Sequence, residues 1–125
     1  MNDLKLQIAQ TIHNARQAVR WKPESAERHL QKRKQRRHLP ETATLDDYEN
    51  QIRQIISSGS SHIYLYWYEN VPYVTVVTSL EKNVWLVMFD LNGIMETAFV
   101  VKHPENYLHS PEYEYIGSVS EVLQT

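Results

Sequence analysis

His62-Ile-Tyr-Leu-Tyr-Trp-Tyr68 begins the part of the sequence whose hydrophobic period is that of β-strands. Three more runs rich in aromatic and β-branched residues follow, at residues 73–78, 84–90 and 94–101. The segments between the runs are short and turn-like, and Asn92-Gly93 is a strong hairpin signal. A parallel crossover needs about a dozen or more residues, so these linkers favour antiparallel neighbours. We therefore expect a four-stranded antiparallel β-meander.

Three helices are predicted ahead of this sheet. Residues 3–20 carry apolar side chains at spacings of three and four, and residues 24–38 form a second, strongly basic helix that begins after Pro23. Thr44 and Asp47 have the spacing of a capping box and begin the third helix. The predicted fold class is α+β, with three N-terminal helices packed on the four-stranded meander.

The length of 125 residues predicts a single domain, 1–125, with a helical part at 1–59, the sheet at 61–101 and a tail of loop and short terminal segment at 102–125. The composition, 42% apolar and 22% charged, is typical of a globular protein. The absence of cysteine excludes disulfides, thiolate zinc sites and cysteine nucleophiles. With no signal-peptide core and no apolar run of about 20 residues, the sequence predicts an unprocessed cytoplasmic protein without a membrane partner.

Charge is divided unevenly along the chain. Residues 1–37 contain ten Lys and Arg against three acids, a net +7, whereas residues 38–125 contain three against twelve, a net −9. The whole chain has a net charge of −2. Because the local field decides whether a polyanion docks, one region of the fold can be strongly positive despite this sum.

The positive charge is concentrated in residues 24–38, and two histidines, His29 and His38, lie within or beside the block. This cluster indicates a phosphate-binding surface, although a basic run is also typical of a solvated helix face. The predicted nucleic-acid contacts are Arg28, Arg33, Lys34 and Arg37.

The same residue types suit metal-independent cleavage of RNA. Such cleavage needs a base for the ribose 2′-hydroxyl, an acid for the leaving oxygen and cations for the phosphorane charge. His29 lies at helical spacing from Lys32 and Arg33, and Arg36 extends that face by a turn. His38 lies just past the helix end, where the backbone can turn it back toward the same phosphate.

A family resemblance follows from the order of elements. The basic helix, the segment Asp-Asp-Tyr-Glu-Asn-Gln-Ile at 46–52 and the hairpin Asp90-Leu-Asn-Gly-Ile-Met-Glu-Thr-Ala-Phe99 together resemble the phage-type barnase, EndoU, colicin and RelE-like nuclease superfamily over residues 26–101. The resemblance implies a metal-independent endoribonuclease of toxin type, or a degenerate relative, that needs no cofactor and has RNA and an antitoxin as partners. It also implies roles for single residues. Thr97 would bind the phosphate, His29 or His38 would transfer protons, and Lys32, Arg33 or Arg36 would stabilise charge.

Other readings remain open at the level of sequence. Tyr64, Tyr66 and Tyr68 share one side of their strand with His62, which suits either base stacking or, as we expect, packing and homodimer formation. His103 and His109 have no carboxylate at a metal-like spacing, so no metal site is predicted. The alternative function is a non-catalytic nucleic-acid-binding or protein-interaction module that uses the basic helix or the aromatic sheet face.

Overall fold

The computed structural model describes residues 2–123. Its elements, in chain order, are α1 (Asn2–Gln17), β1 (Arg20–Trp21), α2 (Ala26–Gln35), α3 (Leu45–Ser57), β2 (His62–Tyr68), β3 (Val71–Leu80), β4 (Asn83–Phe89), β5 (Ile94–Val101), α4 (Pro104–Tyr107), β6 (Tyr113–Ser118) and α5 (Val119–Val122).

Local chemistry fixes the start of α3, and the predicted capping box is confirmed. The Thr44 hydroxyl accepts a hydrogen bond from the Asp47 N–H at 3.1 Å, and the Asp47 carboxylate accepts one from the Thr44 N–H at 2.9 Å. The apolar stripe that follows is fully buried, with Ile52, Ile55 and Ile56 each 1% exposed or less. This helix therefore has both a defined beginning and a defined inner face.

The predicted architecture is wrong in its sheet and in its helix count. The described chain contains five helices and a six-stranded mixed sheet in the order β1-β5-β4-β3-β2-β6. Strands β2 to β5 occupy the four predicted runs, but they form only the middle of the sheet. One outer strand, β1, pairs in parallel with β5, and the other, β6, pairs antiparallel with β2.

The two outer strands were not predicted, for different reasons. β1 has two residues, Arg20 paired with Ile94 and Trp21 paired with Met95, which is too short for any periodicity. Short linkers exclude a parallel pairing only between the two strands that they join. A parallel pair between distant segments of the chain remained possible. β6 lies in the segment predicted as a tail, although Tyr113-Glu114-Tyr115 alternates aromatic and acidic residues in the sequence, as a half-exposed strand does.

Two hydrophobic clusters lie on opposite faces of the sheet, as the alternation along the strands requires. The larger cluster lies under the helices, where the Tyr48 hydroxyl of α3 donates to the Ala98 carbonyl of β5 at 2.6 Å. The smaller cluster, on what we call the second face, has Leu86 and Met88 at its centre and partly buried tyrosines around it. Thr97 pairs with Met88 and Phe99 pairs with Leu86, which places both β5 side chains on the second face.

Across residues 2–123, no helix is long and apolar enough to cross a membrane.

Candidate functional site

Helix α2 carries a cation into the interior of the protein. Leu30 and Arg33 are its buried residues, 3% and 4% exposed, and their spacing of three puts them on the same inner side. Leu30 belongs to the main core cluster. Arg33 therefore takes the position that the next apolar anchor of an ordinary amphipathic helix would occupy.

The surroundings of Arg33 contain no carboxylate partner among the described residues. Its guanidinium carbon lies 5.6 Å from the centre of the Phe99 ring, and its Nη1 lies 3.2 Å from Nδ1 of His38. The Nε–H is buried and has no hydrogen-bond partner. Burial lowers the pKa of Arg33; Tyr48 opposes this effect, and repulsion from Arg36 adds to it. A buried cation without a negatively charged partner is costly unless a ligand provides one.

The end of α2 turns His38 back toward Arg33. The N–H of His38 donates to the Arg33 carbonyl at 2.9 Å, and the N–H of Arg37 donates to the Lys34 carbonyl at 3.0 Å. Arg37 adopts a φ of 60°, the left-handed conformation of this helix-ending motif. The less regular backbone expected after the helix is thus a Schellman turn.

His38 is held as a neutral hydrogen-bond donor. Its Nδ1 faces two donors, the Arg33 guanidinium at 3.2 Å and the Val100 N–H at 3.3 Å, so the ring proton is assigned to Nε2. Burial, then Arg33, Arg36 and Lys102, lowers the pKa of His38 to about 4. At neutral pH the imidazole is therefore uncharged and can donate from Nε2.

These side chains line a cleft of about 650 Å³ between α2, β5 and α4. We call it the cationic cleft, and its lining residues are Lys32, Arg33, Arg36, His38, Thr97, Phe99, Val100, Val101, Lys102, His103, Asn106 and Tyr107. None of them is acidic. Four cations and several neutral donors thus surround one space, which is the requirement for binding a phosphate group.

A second hollow, of about 410 Å³, continues the cleft along the sheet edge and shares Arg36, His38 and Lys102 with it. It adds Arg37 from the end of α2 and Lys82 from the turn between β3 and β4. We call it the adjoining groove. The two spaces together form a continuous cationic strip.

The predicted site residues divide into two groups. Lys32, Arg33, Arg36, His38 and Thr97 line the cationic cleft, and Arg37 lines the adjoining groove. The remaining three lie elsewhere.

His29, Arg28 and Lys34 are outside the cleft. His29 packs against the Trp21 ring at 5.5 Å, and burial, followed by Arg33, lowers its pKa. Arg28 is exposed, with Nη1 3.5 Å from the Glu24 carbonyl. Lys34 lines one hollow with Gln31, Gln35 and Glu41 and a second hollow, distinct from the cleft, with Arg37 and His38.

The side chains that follow β5 are part of the site but were not predicted from the sequence. Lys102, His103, Asn106 and Tyr107 all line the cleft. One signal was available, because Lys102 and His103 come directly after the strand that carries Thr97. Lys82 gave no such signal, since only the β3–β4 pairing brings its turn to the sheet edge.

Comparison with known proteins gives no relative: neither a protein-family profile, nor a curated protein, nor a solved structure matches this chain. The resemblance to the barnase, EndoU, colicin and RelE-like nucleases therefore stays a prediction from the residues quoted above.

Proposed function

We propose that the cationic cleft binds a backbone phosphate of RNA and that the protein cleaves RNA there without a metal ion, as an endoribonuclease of toxin type. The observation that carries the proposal is Arg33, which is 4% exposed and has no carboxylate partner in the described chain. A folded protein keeps such a cation when a ligand supplies the missing negative charge. The cleft beside it contains no acid that could supply this charge instead.

The cleft residues fit the steps of that reaction. The ribose 2′-oxygen attacks phosphorus and loses its proton, the bond to the 5′-oxygen breaks, and that oxygen gains a proton. Arg33, Lys32 and Arg36 offset the charge that develops on the phosphorane oxygens. Thr97 and the Nε2–H of His38 donate hydrogen bonds to the phosphate.

We assign proton transfer to His103. His38 cannot easily accept a proton, because Nδ1 faces two donors and Nε2 already carries the hydrogen. His29 faces Trp21, outside the cleft. His103 lines the cleft and is exposed, so its imidazole is accessible to a ribose bound there.

The second candidate function is RNA binding without cleavage. The observation that favours it is the state of His38, a neutral donor suited to holding a phosphate rather than to moving a proton. This candidate requires the cations of the cleft but not His103.

The setting we propose is the cytoplasm, where cellular RNA is the substrate. As a toxin, the protein would have a neutralising protein partner that inserts acidic side chains into the cationic cleft. A homodimer, if formed, would use the second face, where Tyr68 and Tyr115 are each 53% exposed.

The test is incubation of the purified protein with transfer RNA and total RNA in excess chelator. We expect discrete cleavage that falls on the order of a hundredfold in Arg36→Gln and is lost in His103→Ala. His29→Ala and Lys34→Gln, two changes on α2 outside the cleft, should cleave like the unmodified protein. Cleavage that survives both Arg36→Gln and His103→Ala would reject the site. Salt-sensitive binding without cleavage, weakened in Arg36→Gln, would establish the binding function instead.

A further inference from the structure

The second face of the sheet carries a continuous set of aromatic rings that reaches the cationic cleft. Phe99 lines the cleft, and the centre of its ring lies 6.0 Å from that of Tyr107. The ring centre of Tyr107 lies 5.6 Å from that of Tyr113. The ring centre of Tyr113 lies 4.9 Å from that of Tyr66, and the Tyr66 ring is next to the Tyr68 ring. An aromatic surface that begins beside a phosphate site is the arrangement with which proteins hold single-stranded nucleic acid.

Tyr66 and Tyr68 form the walls of a small pocket. Their rings are nearly parallel, at 16°, with centres 6.5 Å apart. That separation follows from their positions two residues apart on one side of β2. It is close to twice the distance of about 3.4 Å between stacked bases of one strand, so a planar base can stack on these rings. The pocket has a volume of about 250 Å³, and we call it the tyrosine pocket; its other lining residues are Tyr73, Met88 and Glu96.

Glu96 supplies the polar group of the tyrosine pocket. Its carboxylate oxygens accept hydrogen bonds from Lys22 Nζ at 2.8 and 3.2 Å. A carboxylate offers about four acceptor positions, so it can also accept from an exocyclic amino group of a base. Adenine, cytosine and guanine have such a group. Uracil has no exocyclic amino group; where cytosine carries its amino group, uracil presents the O4 carbonyl oxygen, which the carboxylate repels.

The tyrosine pocket and the cationic cleft are neighbours. Glu96 lines the pocket, and Thr97, the next residue of β5, lines the cleft. Met88 of the pocket pairs directly with Thr97. The two spaces therefore adjoin along β5, where the register shift between Met88 and Phe89 leaves Glu96 as an extra residue beside Thr97.

We propose that the tyrosine pocket binds an amino-bearing base of single-stranded RNA while a phosphate of the same strand occupies the cationic cleft. This inference rests on the proposed function, because it assigns the base-recognition part of the same RNA site. The base must be unpaired and unstacked to enter between Tyr66 and Tyr68, so a duplex is excluded as the ligand.

The experiment measures binding of fluorescein-labelled hexamers of cytidylate, adenylate and uridylate at one low salt concentration. The unmodified protein should prefer the first two over uridylate. Tyr68→Ala should weaken cytidylate binding about tenfold. Tyr115→Ala is the matched control, since Tyr115 is as exposed as Tyr68 at 53% but does not line the pocket; it should bind normally.

A second pair of variants tests the carboxylate. Glu96→Gln can donate to a uracil carbonyl, so it should remove most of the preference against uridylate. Lys22→Gln breaks the ion pair of 2.8 Å but leaves the carboxylate in place, and it should keep the preference. Both changed side chains are at least partly exposed, so the fold should tolerate them.

The outcomes separate this inference from the proposed function. If Arg36→Gln weakens hexamer binding while Tyr68→Ala and Glu96→Gln change neither affinity nor preference, the tyrosine pocket is overturned and the cleft survives. If Arg36→Gln has no effect, the cleft itself is rejected. If no hexamer binds and Tyr68→Ala instead disrupts self-association, the second face is a protein interface and the inference is overturned.

Discussion

At the scale of single residues, Arg33 is a buried charge that we expect to bind phosphate at a cost in stability. Its neighbours are a ring and a neutral imidazole, and its Nε–H has no partner. Buried charges replaced by apolar groups of similar size are often neutral or stabilising, and such conflicts between stability and activity are typical of functional sites.

We therefore predict that Arg33→Met raises the free energy of unfolding by about 1 kcal/mol while abolishing RNA binding. Methionine can keep the contact with Phe99 without a buried charge. Urea denaturation followed by tryptophan fluorescence measures the change. Leu30→Ala, which removes the neighbouring core anchor, should instead cost about 2–5 kcal/mol. A loss of stability in Arg33→Met as large as in Leu30→Ala would show that Arg33 is structural.

His38 predicts a dependence of stability on pH. Folding lowers its pKa from the ordinary value of 6.5 to about 4, first through burial and then through Arg33, Arg36 and Lys102. Between pH 6.5 and pH 4 the unfolded chain binds a proton at His38 that the folded chain does not bind. The contribution of neutral His38 to the free energy of unfolding is therefore complete above pH 6.5 and is lost as the pH falls toward 4. A proton on Nδ1 would also remove the acceptor of the hydrogen bond from the Val100 N–H.

The measurement is the free energy of unfolding from pH 7.5 to 4 for the unmodified protein and His38→Gln. The variant should lose less stability on acidification, because it has no imidazole to protonate. His13→Gln, an exposed change on α1, should follow the unmodified profile. If His38→Gln followed that profile too, the acid sensitivity would have another origin, such as His29, whose pKa burial also lowers.

At the scale of elements, helix caps show what sequence can predict. The spacing of Thr44 and Asp47 is a local signal, and both of its hydrogen bonds are present. A turn of His38 back toward the basic helix was also suggested locally, by its place just after the helix end, although the sequence did not indicate Arg33 as its neighbour. Arg20 and Trp21 join β5 only because the folded chain brings residues more than 70 positions apart together. Tyr113 to Ser118 join β2 in the same way, and no local pattern encodes either partner.

We predict that Thr44→Ala lowers the free energy of unfolding by about 1 kcal/mol. The substitution removes the acceptor of the Asp47 N–H at the start of α3, the helix that buries Tyr48 against β5. Thermal or urea unfolding measures the effect. Thr42→Ala, in the exposed loop two residues earlier, should change it by less than about 0.5 kcal/mol. Equal effects of the two substitutions would mean that the capping bond contributes nothing.

At the scale of the whole molecule, the fold brings together positively charged side chains that are far apart in the sequence. Residues 38–125 contain only three cations, Arg53, Lys82 and Lys102, among twelve acids. The pairing of β3, β4 and β5 brings Lys82 and Lys102 to the adjoining groove, which Arg36 at the C-terminal end of α2 also lines. The positive field of the site is therefore a property of the tertiary fold, although its centre, the basic helix, is visible in the sequence.

The cluster of positive side chains in the cleft and the adjoining groove predicts a specific salt dependence of RNA binding. For single strands, each phosphate contact adds about 0.7 to the slope of log affinity against log salt concentration. Lys82→Gln and Lys102→Gln should each weaken binding at low salt and reduce that slope by about 0.7. Arg53→Gln removes the same charge from α3, where the side chain bonds to Asn50 and lines neither the cleft nor the groove. It should leave the slope unchanged, because counterion release depends on contact with phosphate and not on net charge. An equal reduction in all three variants would mean that RNA responds to overall charge, and the strip formed by the cleft and the groove would not be the binding path.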